Sequence, residues 1–397
     1  MQNRNEGITL IALIITIIIL LILVGVSINL AIKGDLFGSA EKAVSGTNDK
    51  TAQEQTRVDE LMGELGRVEE QQRQDNLPGT RVTENTKYVS NGKTAWIPKG
   101  FTVSGIKSEQ SIDNGLVIYD IPEGITPDWT NPDSVKTKYN QFVWIPVEVK
   151  STDTENSIAS FYRSEWTANA STGGDRTAGL STNYTEPDST NDTADKTGIA
   201  DQITELTKSI YKYGGFYIGR YEAGTAAPRT SGSSQTEEFV VQQDKYPYIY
   251  ITWGKSMSDV SEGAVYLCNN LYSSTNTNYG ATSMLCSGVS WDSMLDFVKD
   301  SSHSVTDSAT WGNYYNSETY KVYRGSLYSN SGWSTANTTT GTEVTKNSSV
   351  LLTTGATERN SSKNIYDVAG NCWERTTESD SSSYRVDRGR QLQPRWF

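Results

Sequence analysis

The chain reads as an α+β protein: an N-terminal apolar helix and charged helical stalk, then a loop-rich head of short strands. Three observations predict this. From Ile8 to Ile32 no side chain carries a charge, and Leu and Ile dominate. From Asp49 to Gln74 the composition turns to Glu, Gln, Lys, Arg and Leu, and Val58, Leu61, Met62, Leu65 and Val68 recur at helical spacing. Beyond that lie much Ser, Thr, Asn and Gly with 22 Tyr and 10 Trp, a composition of short strands and long loops whose aromatics argue against wholesale disorder.

Taken in order, the apolar run would span roughly 37 Å as a helix, enough to cross a hydrocarbon core with some tilt. A polar leader, MQNRNEG, precedes it, and Arg4 is a weak signal that the C-terminal bulk lies outside. Residues 8–75 are therefore read as membrane helix and stalk, stopped by Asn76, Pro78 and Gly79. Residues 76–140 read as a small β-rich lead-in (KTAWIPKGFTVSG, GLVIYDIPEG), and the main domain follows from 141 to 397. Its first strand is QFVWIPVEV, Gln141 to Val149. Residues 151–201, dominated by Ser, Thr, Asn, Asp and Gly, read as an insertion or long loop.

A helix follows in DQITELTKSIYKYGG, with Ile203, Leu206 and Ile210 on one face and glycines ending it. Gly214 to Gly224 alternates as a strand with Glu222 inside. YPYIYITWGKSMSDV reads as a strand turning into a helix that runs to Tyr272. A further helix, GVSWDSMLDFVKD, carries a stripe of Val289, Met294, Leu295 and Val298. Residues 310–358 read as loop. Within them Tyr314, Tyr315, Tyr320, Tyr323, Tyr328 and Trp333 form the best candidate contact surface, because rigid amphipathic aromatics suit that role.

The formal charge of −12 argues against nucleic-acid binding, which needs a basic face. Three cysteines, Cys268, Cys286 and Cys372, and one histidine, His303, are too few and too scattered for a zinc site. His303 sits in the polar run KDSSHSVTDS, the setting of a solvated loop histidine rather than of a serine-hydrolase relay. Outside a cell the cysteines allow one disulfide, with three pairings open.

Two resemblances add to this. The order polar leader, Gly7, apolar run resembles the N-terminus of type IV pilins and pseudopilins. It implies cleavage by a prepilin peptidase between Gly7 and Ile8, a membrane partner, contact with other pilin-like subunits, and display on the outer face of a bacterial cell. Ala12 stands where that family carries a Glu used in filament assembly, which favours a display anchor or minor subunit over a bulk one.

The segment Asn364 to Thr376, NIYDVAGNCWERT, resembles the formylglycine-generating-enzyme-type sulfatase-modifying family, and FVWIPV, GGFYIGRYEAG, YPYIYITWGKS and GVSWDSMLDFV fall in the family's order across roughly 141–388. The resemblance implies a C-type-lectin-like fold. The enzymes use a cysteine pair near the C-terminus, and here no cysteine follows Cys372, so no enzyme activity is expected. Members often hold calcium at the residues matching Asn371 and Glu374, the only cofactor the resemblance allows; otherwise Glu374 braces the turn by accepting backbone hydrogen bonds. Trp373 is expected in the core, Arg375 replaces a family Trp, and Tyr366 and Asp367 fix the turn.

The tail GRQLQPRWF departs from the family pattern. One codon choice for it, read with one base dropped after the first codon, gives Gly-Gly-Ser-Tyr-Asn-Leu-Ala-Gly, so a frameshifted truncation is expected. The sequence thus leads to a displayed adhesin that binds an extracellular glycan or protein ligand. A minor pilin is the second reading and an active enzyme the third.

Overall fold

A computed structural model of the chain describes residues 40–179, 186, 198–233, 235–256, 259–329, 332–348, 350–379 and 385–389. The chain divides into two compact units, Met1–Gln71 and Gln72–Phe397.

Helix α1 (Ala40–Asp75) makes up the described part of the first unit. Its Glu, Gln, Lys, Arg and Ala are strong helix formers, which carries it through Gly46, Gly63 and Gly66 at a cost near 1 kcal/mol each. The apolar stripe is left largely uncovered: Val58, Leu61, Met62 and Val68 are exposed and Leu65 is half-buried. Among the described residues no helix is long and apolar enough to cross a membrane. The membrane-anchored, outward-facing placement expected from the sequence is corrected accordingly. Gly7, Ile8 and the run 8–32 on which it rested lie outside the described residues.

The second unit is mixed α/β, with mostly short strands and few helices. It opens on a hairpin, β1 (Thr86–Ser90) and β2 (Lys93–Ile97), turned by Asn91 and Gly92, both at positive φ. That is the turn whose twist matches a two-residue hairpin. β3 (Thr102–Val103), β4 (Val117–Tyr119), the short helix α2 (Pro132–Lys136) and β5 (Gln141–Pro146) follow. A second hairpin, β6 (Ser164–Thr167) and β7 (Asp175–Ala178), precedes helix α3 (Ile199–Tyr213) and β8 (Gly215–Gly219).

The central sheet is antiparallel in the order β3-β4-β5-β8. The stretch 76–140 is therefore not a separate lead-in: β4 fills the hydrogen-bonding edge that β5 would otherwise expose. Successive side chains point to opposite faces. Val117, Tyr119, Val143, Ile145 and Phe216 share one core with Trp291, Met294 and Val298. Ile118 and Trp144 share the other with Ala95, Ile97 and Phe101. Covering both faces explains why FVWIP reads as a continuous apolar run.

Gly214 ends α3 in the left-handed conformation, donating its N–H to Ile210 O at 2.7 Å. Gly215 has no room for a side chain, since a Cβ there would lie 2.4 Å from Ile145 O and 2.5 Å from Trp144 Cζ2. Gly215→Val is expected to cost about 1–3 kcal/mol by overpacking. A urea midpoint equal to that of the parent would refute this close approach.

The first half of the 151–201 insertion is pinned down. Arg163 pairs with both Asp292 and Glu378, and Ser164 N donates to Asp292 Oδ2 at 2.8 Å. Tyr250, at φ +57, breaks the strand expected in YPYIYITW, leaving only the pairing of β9 (Gly224–Thr225) with β10 (Tyr246–Pro247). Helices α4 (Gly263–Leu271) and α5 (Gly288–Val298) lie where helices were expected, and Ser287 caps α5 by accepting from Ser290 N. The 310–358 stretch is not simply loop: it holds β11 (Tyr320–Val322), β12 (Ser326–Ser329), β13 (Gly332–Thr335), β14 (Thr342–Val344) and β15 (Leu351–Leu352). Around Ala336 these strands close a small core of their own. Two-residue strands β16 (Ser361–Ser362) and β17 (Ile365–Tyr366) lead to the closing pair, β18 (Glu374–Ser379) and β19 (Arg385–Arg388).

Candidate functional site

The segment 363–376 is backbone-strained and held from several sides. Lys363, Asn364, Asp367 and Asn371 all have positive φ. Asn and Asp tolerate that region better than other L-residues, yet each such residue still costs on the order of 1 kcal/mol. The surrounding network offsets this cost. Asn364 Nδ2 donates to Gly115 O at 2.8 Å, and Tyr366 N donates to Arg220 O at 2.9 Å. Tyr366 OH bonds Glu358, and Asp367 Oδ2 accepts from Gly355 N at 2.7 Å. Tyr366 and Asp367 hold the turn, as their place in the motif implies.

Asn371 is the knot. It is buried, and its Nδ2 donates to Glu222 Oε2 at 2.7 Å and Leu352 O at 3.1 Å. Its Oδ1 accepts from Asn313 Nδ2 at 3.0 Å and Leu352 N at 2.8 Å. Cys372 N completes the clasp on Glu222 Oε1 at 3.0 Å. Both lone pairs of the Asn371 oxygen are thus in use, so it does not fit as a calcium ligand. Glu374 differs: its Oε2 is buried with no partner, so the carboxylate does not brace the turn through that oxygen. Among the described residues no group of three or more His, Cys, Asp or Glu side chains is arranged to hold a metal ion.

Three carboxyls sit within electrostatic reach of one another here. Burial pushes the Glu222 carboxyl well above its usual range, and the charge of Asp367 adds to the shift. Burial pushes Glu374 well up too, reinforced by Glu222 and Asp367. Asp367 is pushed up to about 7 by burial, against the opposing hydrogen bond from Gly355. Near neutrality the cluster retains protons that exposed acids would have lost. The cysteines follow the same rule, with Cys268 pushed up to about 12 and Cys286 and Cys372 well above their usual value, all by burial first. Their thiolates, the reactive forms, are therefore disfavoured. All three are free thiols. His303 bonds Asp300 Oδ1 at 2.9 Å in an irregular segment, as its setting predicted.

The aromatic set divides. Tyr314 and Tyr320 are buried, and Tyr320 OH donates to Asn313 Oδ1 at 2.9 Å, so both belong to the core rather than to a contact surface. Tyr315, Tyr323 and Tyr328 are exposed, and Trp333 is half-buried. Tyr328 and Trp333 face each other across the β12–β13 pair with ring centroids 5.5 Å apart. Trp333 in turn meets Tyr246 edge-on at 4.7 Å. Tyr246 was not singled out from the sequence, although its aromatic run YPYIY was the available signal. Trp373, expected in the core, is 52% exposed, because the left-handed turn spends its inward direction on Asn371. Arg375 pairs with Asp387 at 2.9 Å.

Comparison of the chain with protein-family models, with curated proteins and with solved structures finds no match.

Proposed function

We propose that the head is a non-catalytic ligand-binding domain on a C-type-lectin-like scaffold of the formylglycine-generating-enzyme type, taking a glycan or protein surface on its aromatic strands. The observation that carries this reading is the run Tyr328–Trp333–Tyr246, a ladder of rings on short paired strands at the protein surface. Strand pairing sets the ring spacing in advance, so a ligand that stacks there loses little further side-chain freedom. Tyr323, 51% exposed, and Tyr315 are further exposed tyrosines within residues 310–358. The four-stranded sheet, the flanking helices and the knotted Asn364–Thr376 motif support the scaffold assignment. Burial holds the three cysteine thiols up and so disfavours thiolate nucleophiles.

The test is a glycan and protein array probed with the full-length chain. We expect a restricted set of ligands to be retained, and Tyr323→Ala to weaken retention of that set by about 0.5–1.5 kcal/mol. A uniformly silent array ends the reading.

A further inference from the structure

Separate from the aromatic strands, a cavity of about 1070 Å³ runs beside the central sheet, and neither Tyr328 nor Trp333 lines it. All five residues of β8, Gly215 to Gly219, do line it. Successive side chains of a strand point to opposite faces, so a cavity that touches every one of them lies along the strand's edge. The walls agree. Phe216, Trp291 and Met294 belong to the core on one face of the sheet, Phe142, Trp144 and Leu271 to the core on the other, and all six meet the cavity.

β8 is the last strand in the order β3-β4-β5-β8, so only one of its edges is paired. Arg220 N donates to Gln141 O at 3.0 Å, and Val147 N donates to Gly214 O at 2.9 Å. In the antiparallel register that sets Phe142 opposite Gly219, these bonds fix the alternation. The main-chain groups of Phe216 and Ile218 turn toward β5, and those of Gly215, Tyr217 and Gly219 turn away from it. Among the described residues, none of these three has a hydrogen-bond partner for its main-chain N–H or C=O. Sheet edges are commonly blunted by charges, prolines or bulges, whereas Gly-Phe-Tyr-Ile-Gly carries none of these and its register with β5 is unbroken. A row of donors and acceptors at strand spacing is matched by another extended backbone, and a cavity with an apolar wall on each side receives its alternating side chains.

Charge narrows the occupant further. Asp201 and Glu205 of α3 are exposed members of the lining. Glu205 pairs with Lys208 at 2.8 Å, while Asp201 forms no ion pair among the described residues. Arg375, also in the lining, is neutralised by Asp387 at 2.9 Å. The rim is therefore acidic, in a chain of net charge −12, and complements a basic residue.

We infer that an extended peptide segment of a partner protein docks here as a fifth strand on the free edge of β8, its apolar side chains on the two walls and a lysine or arginine at the acidic rim. Main-chain bonds to Tyr217 and Gly219 supply the affinity, and the two walls with the rim supply the selectivity.

Calorimetric titration of the full-length chain with the synthetic peptide acetyl-Lys-Val-Ile-Val-Ile-Val-Lys-amide tests this. Two analogues are the controls: one N-methylated at all five central residues, which keeps side chains and charge but has no central N–H donors, and one ending in Glu at both positions. The parent peptide is expected to bind saturably and at least about tenfold more tightly than either analogue. At saturation, hydrogen exchange at the Tyr217 and Gly219 amides, followed by NMR, is expected to slow at least about tenfold. Equal affinity for the parent peptide and either analogue would overturn the inference. So would binding that leaves both amides exchanging at their free rate, or no saturable binding up to ~1 mM. Every readout is taken on the unaltered protein, so none depends on the folding of a variant.

Discussion

Arg220→Met is expected to destabilise the second unit by about 3–5 kcal/mol, the range for breaking one side of a buried ion pair. Arg220 is 1% exposed and bonds Glu109 Oε1 at 2.8 Å, Gln141 Oε1 at 3.1 Å, Tyr119 OH at 3.3 Å and Asn364 Oδ1 at 3.3 Å. Its guanidinium also lies 5.5 Å from the ring centroids of Tyr221 and Tyr366. Burial alone would push the Glu109 carboxyl up, but Arg220 and Lys136 together hold it below its ordinary value. Methionine would keep the apolar contacts and leave Glu109 with Lys136, Ser104 and Tyr119 as its remaining partners. The loss should appear as a lower urea midpoint with an unchanged slope. A loss under about 1 kcal/mol would mean that Lys136 and the two hydroxyls already compensate Glu109.

The second large effect is on pH dependence. Asp367 has a folded value of about 7, against about 3.9 in an unfolded chain. Between those values the folded state keeps a proton that the unfolded state has lost, so stability falls as pH rises. The contribution is fully present below about pH 4 and is lost as pH passes through 7. Glu222 and Glu374 act in the same direction, whereas Glu109, whose value is lowered, contributes stability that is lost as pH falls. Asp367→Asn keeps an oxygen for Gly355 N while removing the titration. The variant is expected to gain on the order of 2 kcal/mol over the parent between pH 4 and pH 8, below the ceiling of about 4 that the full shift allows. Identical pH slopes for parent and variant would show that Asp367 does not carry the effect.

Much of the head was legible because its strands and helices bury contiguous apolar faces. FVWIP, the Ile203–Leu206–Ile210 face and the Met294–Val298 face all lie in elements close to their expected bounds. What was not legible depended on partners distant in sequence. Tyr314 and Tyr320 look like any other surface tyrosine locally, and only the fold around Asn313 and Asn371 buries them. Trp373 was placed inside by its motif, but the turn geometry at Asn371 turns it out. Asn371 is a different case: it has the chemistry of a metal ligand, yet Glu222, roughly 150 positions earlier, Leu352 and Asn313 already satisfy it. Spacing within NCWE carries no trace of those partners. Likewise, residues 102–119 read as a lead-in because strand pairing with β5 leaves no local signature.

The most direct measurement on the aromatic surface is retention of array-identified ligands by Tyr328→Ala/Trp333→Ala set against Tyr314→Phe/Tyr320→Phe. Losing the exposed pair should weaken binding by about 2–4 kcal/mol, as for hot-spot aromatics, with little change in the urea midpoint. Removing the two buried hydroxyls should lower the midpoint and leave affinity unaltered, since Tyr320 spends its hydroxyl on Asn313. Full ligand retention by the Tyr328→Ala/Trp333→Ala chain would contradict a binding role for these strands.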